Sequence, residues 1–171
     1  MFNPIKSILF ATNLTPACRP AFEVSISLAA QYHASLILLH VLDGKIPAHI
    51  ENEIKESLGQ KWEEIKSERQ KDARQALIGK MSSESLATTA IHLYCDQAGI
   101  NDVSCGISSY KAIVKKGDVI TSILTEAANF DCDMIVIGAQ KNFLKNNSLG
   151  SIVKGVMRKT KIPVIFVPPR L

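Results

Sequence analysis

The sequence lacks the features that mark metal-bound, disulfide-bonded or membrane proteins. Its four cysteines, at positions 18, 95, 105 and 132, form no Cys-x-x-Cys pair, which argues against a structural zinc site and a disulfide framework. No apolar run approaches the ~18 residues that a membrane span needs. The N-terminus also has no charged segment followed by an apolar one. We therefore expect a soluble, cytoplasmic protein with no membrane partner, in which buried Cys132 is an inert core residue.

Motifs of the common nucleotide-dependent enzymes are absent as well. The chain has no Gly-x-x-x-x-Gly-Lys-(Ser/Thr) P-loop and no Gly-x-Gly-x-x-Gly after its first apolar run. No paired carboxylates, Ser-His-Asp set or metal cluster converges on the predicted strand ends. Asp131 and Asp133 flank a strand, where turn chemistry accounts for them, and His40 lies in an apolar run, as a core histidine would. We expect no catalytic residue and no metal site, and therefore no enzyme.

Length and composition favour a single folded unit. The chain has 171 residues, 46% of them apolar, which is enough for one domain with a sizeable core. No internal repeat is visible. The net charge of +4 is too small to argue for a nucleic-acid partner. We expect one domain over residues 1–171 that binds no nucleic acid.

Short apolar runs alternate with segments of helical periodicity along the chain. The runs predict five strands, at residues 8–11, 36–42, 110–114, 133–137 and 162–167. Residues 46–98 are too long for one crossover, so we expect an extended helical segment there, as two helices or one broken helix. The alternation predicts an α/β fold, a five-stranded parallel sheet with helices on both faces. Thr15 and Asp118 are expected to cap the helices that follow the first and third strands.

The stretch from residue 133 to 153 has the parts of an anion site. A buried strand ends at Gly138, a polar loop follows, and Gly150 and Ser151 open a helix that continues through Ile152. Backbone N–H groups and the dipole at a helix N-terminus attract anions. From Met134 onward the chain has seven Lys or Arg residues and no Asp or Glu, which favours an anionic ligand. The alternatives are a plain turn with Ser151 as the N-cap residue and a solvated basic helix face.

These segments resemble the universal stress protein family over essentially the full length of the chain. The resemblance is carried by residues 8–13, 38–41 and 114–118, and by an ending that combines Gly138, residues 150–153 and residues 161–167. It implies the strand order 3-2-1-4-5, a Usp-like fold of the adenine-nucleotide alpha-hydrolase-like type. Asn13 and Gly138 would then face one crevice. It also implies a homodimer formed through the C-terminal strand 162–167, which would cover an apolar edge.

The family's nucleotide pattern is only partly present. Members of the family that bind ATP carry the motif Gly-x2-Gly-x9-Gly-(Ser/Thr), with an Asp after the first strand that receives the adenine. Here Asn13 replaces the Asp, Lys141 replaces the second glycine, and eight residues separate Lys141 from Gly150. The shorter loop is similar to that of non-binding members, whereas Gly150 and Ser151 match the binding ones. Asn13 can donate to and accept from an adenine edge, and Lys141 could fill the phosphate space or neutralise a phosphate.

The resemblance implies an ATP-binding sensor in stress response that acts as a dimer. Its cofactor would be ATP, accompanied by Mg²⁺, and otherwise none. The alternative is a dimeric interaction protein of the same family that binds no nucleotide and docks an unidentified protein partner. For Ala11 and Val41, core packing is an equally good explanation. The nucleotide-binding positions carried over by the resemblance are Ala11, Thr12, Asn13, Val41, Gly138, Gln140, Lys141, Gly150, Ser151 and Ile152.

Overall fold

The computed structural model describes residues 4–43, 106–138 and 149–169, together with residues 84, 87–88, 91–92, 95–96 and 99–100. A short 3-10 turn, Pro16–Cys18, precedes the first helix. The strands are β1 (Ser7–Thr12), β2 (Ser35–Leu42), β3 (Ser109–Lys116), β4 (Met134–Gly138) and β5 (Val164–Val167). The helices are α1 (Arg19–Tyr32), α2 (Val119–Asn129) and α3 (Ser151–Lys159).

The five strands form one sheet in the order β3-β2-β1-β4-β5, and every neighbouring pair is parallel. The predicted α/β fold and strand order are therefore confirmed. In the central strand, Ile8 pairs with Leu36 on one side and Met134 on the other. Helices cover both faces of the sheet, so its inner strands are apolar on both faces, as the continuous apolar runs indicate.

Alternation along the strands divides the core into two layers. Ile8 and Phe10 of β1 face α1, and Ala87, Ile91, Cys95 and Ile100 pack in the same layer. Leu9 and Ala11 face the opposite way, toward α2 and α3. In the first layer the rings of Phe10 and Phe22 pack with their centroids 5.5 Å apart. The two layers place α1 and α3 on opposite faces of the sheet.

Most of the expected helical segment at 46–98 lies outside the described residues. The described residues between 84 and 96 are helical, which confirms a helix there. Ala87, Ile91 and Cys95 lie four residues apart and are buried against the α1 layer. The apolar side expected at residues 86, 90, 93 and 94 falls outside the described part of the chain.

One of the two predicted helix caps is confirmed and the other is wrong. Asp118 caps α2, because its carboxylate accepts a hydrogen bond from the Thr121 N–H at 2.8 Å. Thr15 does not cap α1, which begins later, at Arg19, with Cys18 as an N-cap residue that makes no side-chain cap bond. The cause is the 3-10 turn, in which the Cys18 N–H donates to the Thr15 carbonyl at 2.9 Å.

The two edges of the sheet differ in chemistry. Edge strand β3 carries Lys111, Lys115 and Lys116, all exposed. Lys115 pairs with Glu126 of α2 at 3.3 Å, and Lys111 lies over the Phe130 ring at 4.8 Å from its centroid. Edge strand β5 is Val-Ile-Phe-Val and carries no charge. Among the helices of the described residues, none is both long and apolar enough to cross a membrane.

Candidate functional site

A crevice forms where the chain leaves β1 and β4 in opposite directions. Ala11 pairs with Ile137, so Asn13 and Gly138 follow at the carboxyl ends of adjacent strands. The chain from β1 passes through α1 to β2, whereas the chain from β4 passes through α3 to β5. Open parallel sheets bind ligands at such a reversal of strand order. Because α1 and α3 cover opposite faces, the Pro16–Cys18 turn and the N-terminus of α3 flank this crevice.

Gly138 ends β4 directly beneath the 3-10 turn. A Cβ atom at this position would lie 3.1 Å from both the Cα and the Sγ of Cys18, and 3.2 Å from the Cβ of Ala21. These distances are shorter than ordinary van der Waals contact. Close packing of the turn on the strand end therefore disfavours a residue larger than glycine here. From the sequence, Gly138 was expected only to end β4 and admit a ligand, because its contact with Cys18 is long-range and leaves no local pattern.

Asn13 follows β1, and its side-chain oxygen is fully engaged in the turn. Its Oδ1 accepts hydrogen bonds from the Thr15 N–H at 3.1 Å, the Thr15 hydroxyl at 2.7 Å and the Cys18 thiol at 2.9 Å. Such local bonds are typical of Asn at turns. Asn13 was expected both to accept hydrogen bonds from a ligand and to donate to it; with Oδ1 occupied, its side chain can only donate, through Nδ2.

Cys18 is a functional neighbour of the site that the sequence did not indicate. Its side chain is buried, and burial raises the pKa of the Cys18 thiol. The thiol is therefore protonated at neutral pH and can donate to Asn13. A small apolar residue five positions after Asn13 gives no sequence signal for this contact, which depends on the 3-10 turn.

The backbone and side chain of Thr12 are both engaged at the end of β1. Its Oγ1 accepts from the Leu14 N–H at 3.0 Å, and its carbonyl lies 2.8 Å from Nδ1 of His40. A carbonyl oxygen only accepts, so Nδ1 of His40 carries the proton. Burial lowers the pKa of His40, which is 5% exposed, so its ring is neutral at pH 7. This arrangement fits the core histidine expected at position 40.

Ala11 and Val41 belong to the core layer beneath α2 and α3. Ala11 is buried and Val41 is half-buried there. Packing accounts for the apolar character of both positions, whether or not a ligand lies above them. Gln140 and Lys141, the remaining loop positions expected at the site, lie outside the described residues.

No side chain of the described residues caps the N-terminus of α3. Gly150 is the N-cap residue and Ser151 the first helical residue, so the expectation of Ser151 as N-cap is wrong by one position. Lys154 N donates to the Gly150 carbonyl. In the described part of the chain, the N–H groups of Ser151, Ile152 and Val153 have no acceptor. At the N-terminus of α2, by contrast, the Asp118 carboxylate caps the helix, and hydrogen bonds from Thr121 lower the pKa of Asp118.

Asp131 and Asp133 lie away from the crevice. The Asp133 carboxylate accepts from the N–H groups of Lys6, at 2.7 Å, and Ser7, at 3.0 Å, where β1 begins. Asp131 has a positive φ of 45° in the turn before β4. Both residues lie in turns at the amino ends of the strands, at the opposite end of the sheet from the crevice. No group of three potential metal ligands occurs among the residues that the structure describes.

The fold is an open α/β sheet whose strand order reverses between β1 and β4, the place where such sheets bind ligands. The model of the universal stress protein family matches residues 4–168. The chain therefore belongs to the universal stress protein family. No curated protein matches it.

Several solved structures share the fold. A universal stress protein from Lactobacillus plantarum is 18% identical, with a TM-score of 0.59, over 97% of this chain and 99% of that one. A family member from Arabidopsis thaliana with AMP bound is 16% identical, with a TM-score of 0.59, over 96% and 92% of the two chains. A universal stress protein in complex with cAMP is 14% identical, with a TM-score of 0.58, over 98% and 100%. At these identities the likeness shows the fold alone.

Proposed function

We propose that this protein binds a purine nucleotide, ATP or a related nucleoside triphosphate, in the crevice between β1 and β4 and senses it without turning it over. The observation that carries the proposal is the uncapped N-terminus of α3. Its first three N–H groups find no acceptor among the described residues, whereas Asp118 already occupies the equivalent end of α2. Unpaired N–H groups and a positive dipole end together favour a phosphate.

The charge around α3 supports an anionic ligand. Lys154, Arg158 and Lys159 lie on the helix, and no Asp or Glu occurs from Met134 to the C-terminus. An anion therefore meets no repulsion from this part of the chain. The described residues of the crevice offer no carboxylate, so Mg²⁺ would enter bound to the phosphates and not to protein ligands. Two structurally similar family members hold AMP and cAMP, which supports a nucleotide as the ligand.

A sensing role, and not catalysis, fits the titratable groups near the crevice. The His40 ring is buried and neutral, and its Nδ1 proton is committed to the Thr12 carbonyl. The Cys18 thiol is protonated and donates to Asn13, so it is a poor nucleophile. Neither group is arranged as a general base for an attacking water.

A substitution at Gly150 tests the nucleotide site with opposite effects on stability and binding. Gly150 has φ −57° and ψ 159°, a conformation that any residue adopts. In Gly150→Asp the new carboxylate should cap α3, stabilise the protein by up to about 1 kcal/mol, and repel phosphate. We expect calorimetric titration with ATP to show micromolar binding to the wild type and at least tenfold weaker binding to this variant.

Gly150→Asn is the matched control, because it caps the helix without adding charge. It should weaken binding less than Gly150→Asp does. Ion-pair chromatography of the small molecules released from denatured wild-type protein adds an independent readout. The absence of both released nucleotide and heat with ATP would reject the proposal. The alternative, a family member that docks a protein partner through an empty crevice, is favoured by the engaged Asn13 oxygen and by the close packing on Gly138.

We also propose that the protein is a homodimer formed through residues 162–167. Strand β5 is an uncharged apolar edge, and the backbone groups of an unpaired edge strand can pair with a second chain. Light scattering after size exclusion should give the mass of two 18.7-kDa chains. Val164→Lys, which places a charge on this half-buried edge, should give one. A monomeric wild type would contradict the proposal.

A further inference from the structure

We propose that Asn13 determines which base the crevice prefers, because it offers a ligand hydrogen-bond donors and no acceptor. The inference rests on the proposed nucleotide site. It predicts that a purine with an oxygen at position 6 binds more tightly than adenine, which has an amino group there.

The orientation of the Asn13 amide follows from its neighbours. The Thr15 backbone N–H, 3.1 Å away, can only donate, so the atom facing it is the oxygen and not the nitrogen. The Thr15 hydroxyl and the protonated Cys18 thiol donate to the same oxygen, at 2.7 and 2.9 Å. Among the residues that the structure describes, Nδ2 has no partner. Asn13 is half-buried, so this donor group is available to a ligand.

This orientation changes the way that an Asn can recognise a purine. An Asn with a free oxygen pairs with adenine through two bonds, accepting from N6 and donating to N7. Asn13 cannot accept from N6, because its oxygen already accepts three hydrogen bonds. An N6 amino group placed against Nδ2 would set donor against donor. An oxygen at position 6, in contrast, accepts from Nδ2.

A carboxylate at position 13 would invert this polarity without changing its shape. One carboxylate oxygen of Asn13→Asp would accept from Thr15 and Cys18 as Oδ1 does now, so the turn should be kept. The second oxygen would replace Nδ2 and present an acceptor. Asn13→Asp should therefore preserve the fold and reverse the hydrogen-bonding preference of position 13 toward a ligand.

The test compares ITP with ATP, which differ at position 6 of the base and carry the same triphosphate. Calorimetric titrations with Mg²⁺ would use the wild type, Asn13→Asp and Asn13→Ala. We expect the wild type to bind ITP about tenfold more tightly than ATP, and Asn13→Asp to bind ATP about tenfold more tightly than ITP. Asn13→Ala should show little preference. The added negative charge of Asn13→Asp should weaken the binding of both nucleotides equally, so it should not change the ratio of their affinities.

The outcomes separate the inference from the function on which it rests. Nucleotide binding with the same ITP-to-ATP ratio in the wild type and Asn13→Asp would overturn the role of Asn13 and leave the nucleotide site intact. A wild type that binds ATP more tightly than ITP would overturn the role as well. A failure of both nucleotides to bind the wild type and Asn13→Asp, with native circular dichroism, would reject the nucleotide site and this inference with it.

Discussion

The packing of the 3-10 turn against β4 predicts unequal effects of one methyl group at two glycines. In Gly138→Ala the added carbon meets the Cα of Cys18 at 3.1 Å, so backbone must move. Gly155 lies within α3, where the added carbon overlaps Cδ1 of Ile120, the tip of a side chain that can rotate. Overpacking against fixed atoms costs about 1–3 kcal/mol. In a helix, the Gly-to-Ala change recovers about 1 kcal/mol of backbone entropy.

We therefore expect Gly138→Ala to lower the free energy of unfolding by about 1–3 kcal/mol and Gly155→Ala to change it by less than about 1 kcal/mol. Urea unfolding followed by circular dichroism measures both on one scale. Gly138→Ala should also weaken nucleotide binding, because it displaces the turn that holds Asn13. Equal destabilisation by the two variants, or a larger loss for Gly155→Ala, would refute the assignment of Gly138 to turn packing.

Three further predictions concern buried groups. Burial lowers the folded-state pKa of His40, so the unfolded chain binds the proton first as pH falls. The free energy of unfolding should therefore drop below about pH 6.5, by up to ~1.4 kcal/mol per pH unit. Urea midpoints measured from pH 5 to 8 should show this drop in the wild type and not in His40→Asn. Lys115→Met should lower the free energy of urea unfolding by about 1–2 kcal/mol, because it leaves the 5% exposed Glu126 without its cation. Adding Glu126→Gln should restore most of that stability, and an unchanged stability in Lys115→Met would contradict a structural ion pair. Ile91→Ala should cost about 2–5 kcal/mol by calorimetry, since Ile91 is 1% exposed, and a cost near zero would mean that this helix does not dock.

The architecture could be predicted from the sequence because each inner strand is buried on both faces. Such strands must be apolar throughout, and their runs mark them even in a single sequence. The strand order followed from the family resemblance and is confirmed. Strand β5 begins at Val164 and not at residue 162 as expected. Pro163 has no N–H to donate, although its carbonyl accepts from Ile135.

The details of the crevice could not be predicted because they depend on competition between neighbouring polar groups. Thr15 is a good capping residue by type, but its hydroxyl donates to Asn13 instead. The outcome depends on the 3-10 turn, which no spacing of apolar residues specifies. The N-cap of α3 was expected at Ser151, one position too late, because Gly150 adopts the capping conformation without a capping side chain. Candidate positions could be proposed from the sequence, but the donor and acceptor roles of their side chains required the structure.

The unlike edges of the sheet limit how far copies of this protein can associate. Once two chains have paired along β5, each outer end of the joined sheet is a β3 strand that carries Lys111, Lys115 and Lys116. Two such ends repel each other, and lysines on an edge strand oppose further pairing. Sheet extension would therefore stop at ten strands, without the open-ended growth that leads to fibrils. If the proposed β5 dimer forms, its assemblies should therefore stay small even at high protein concentration.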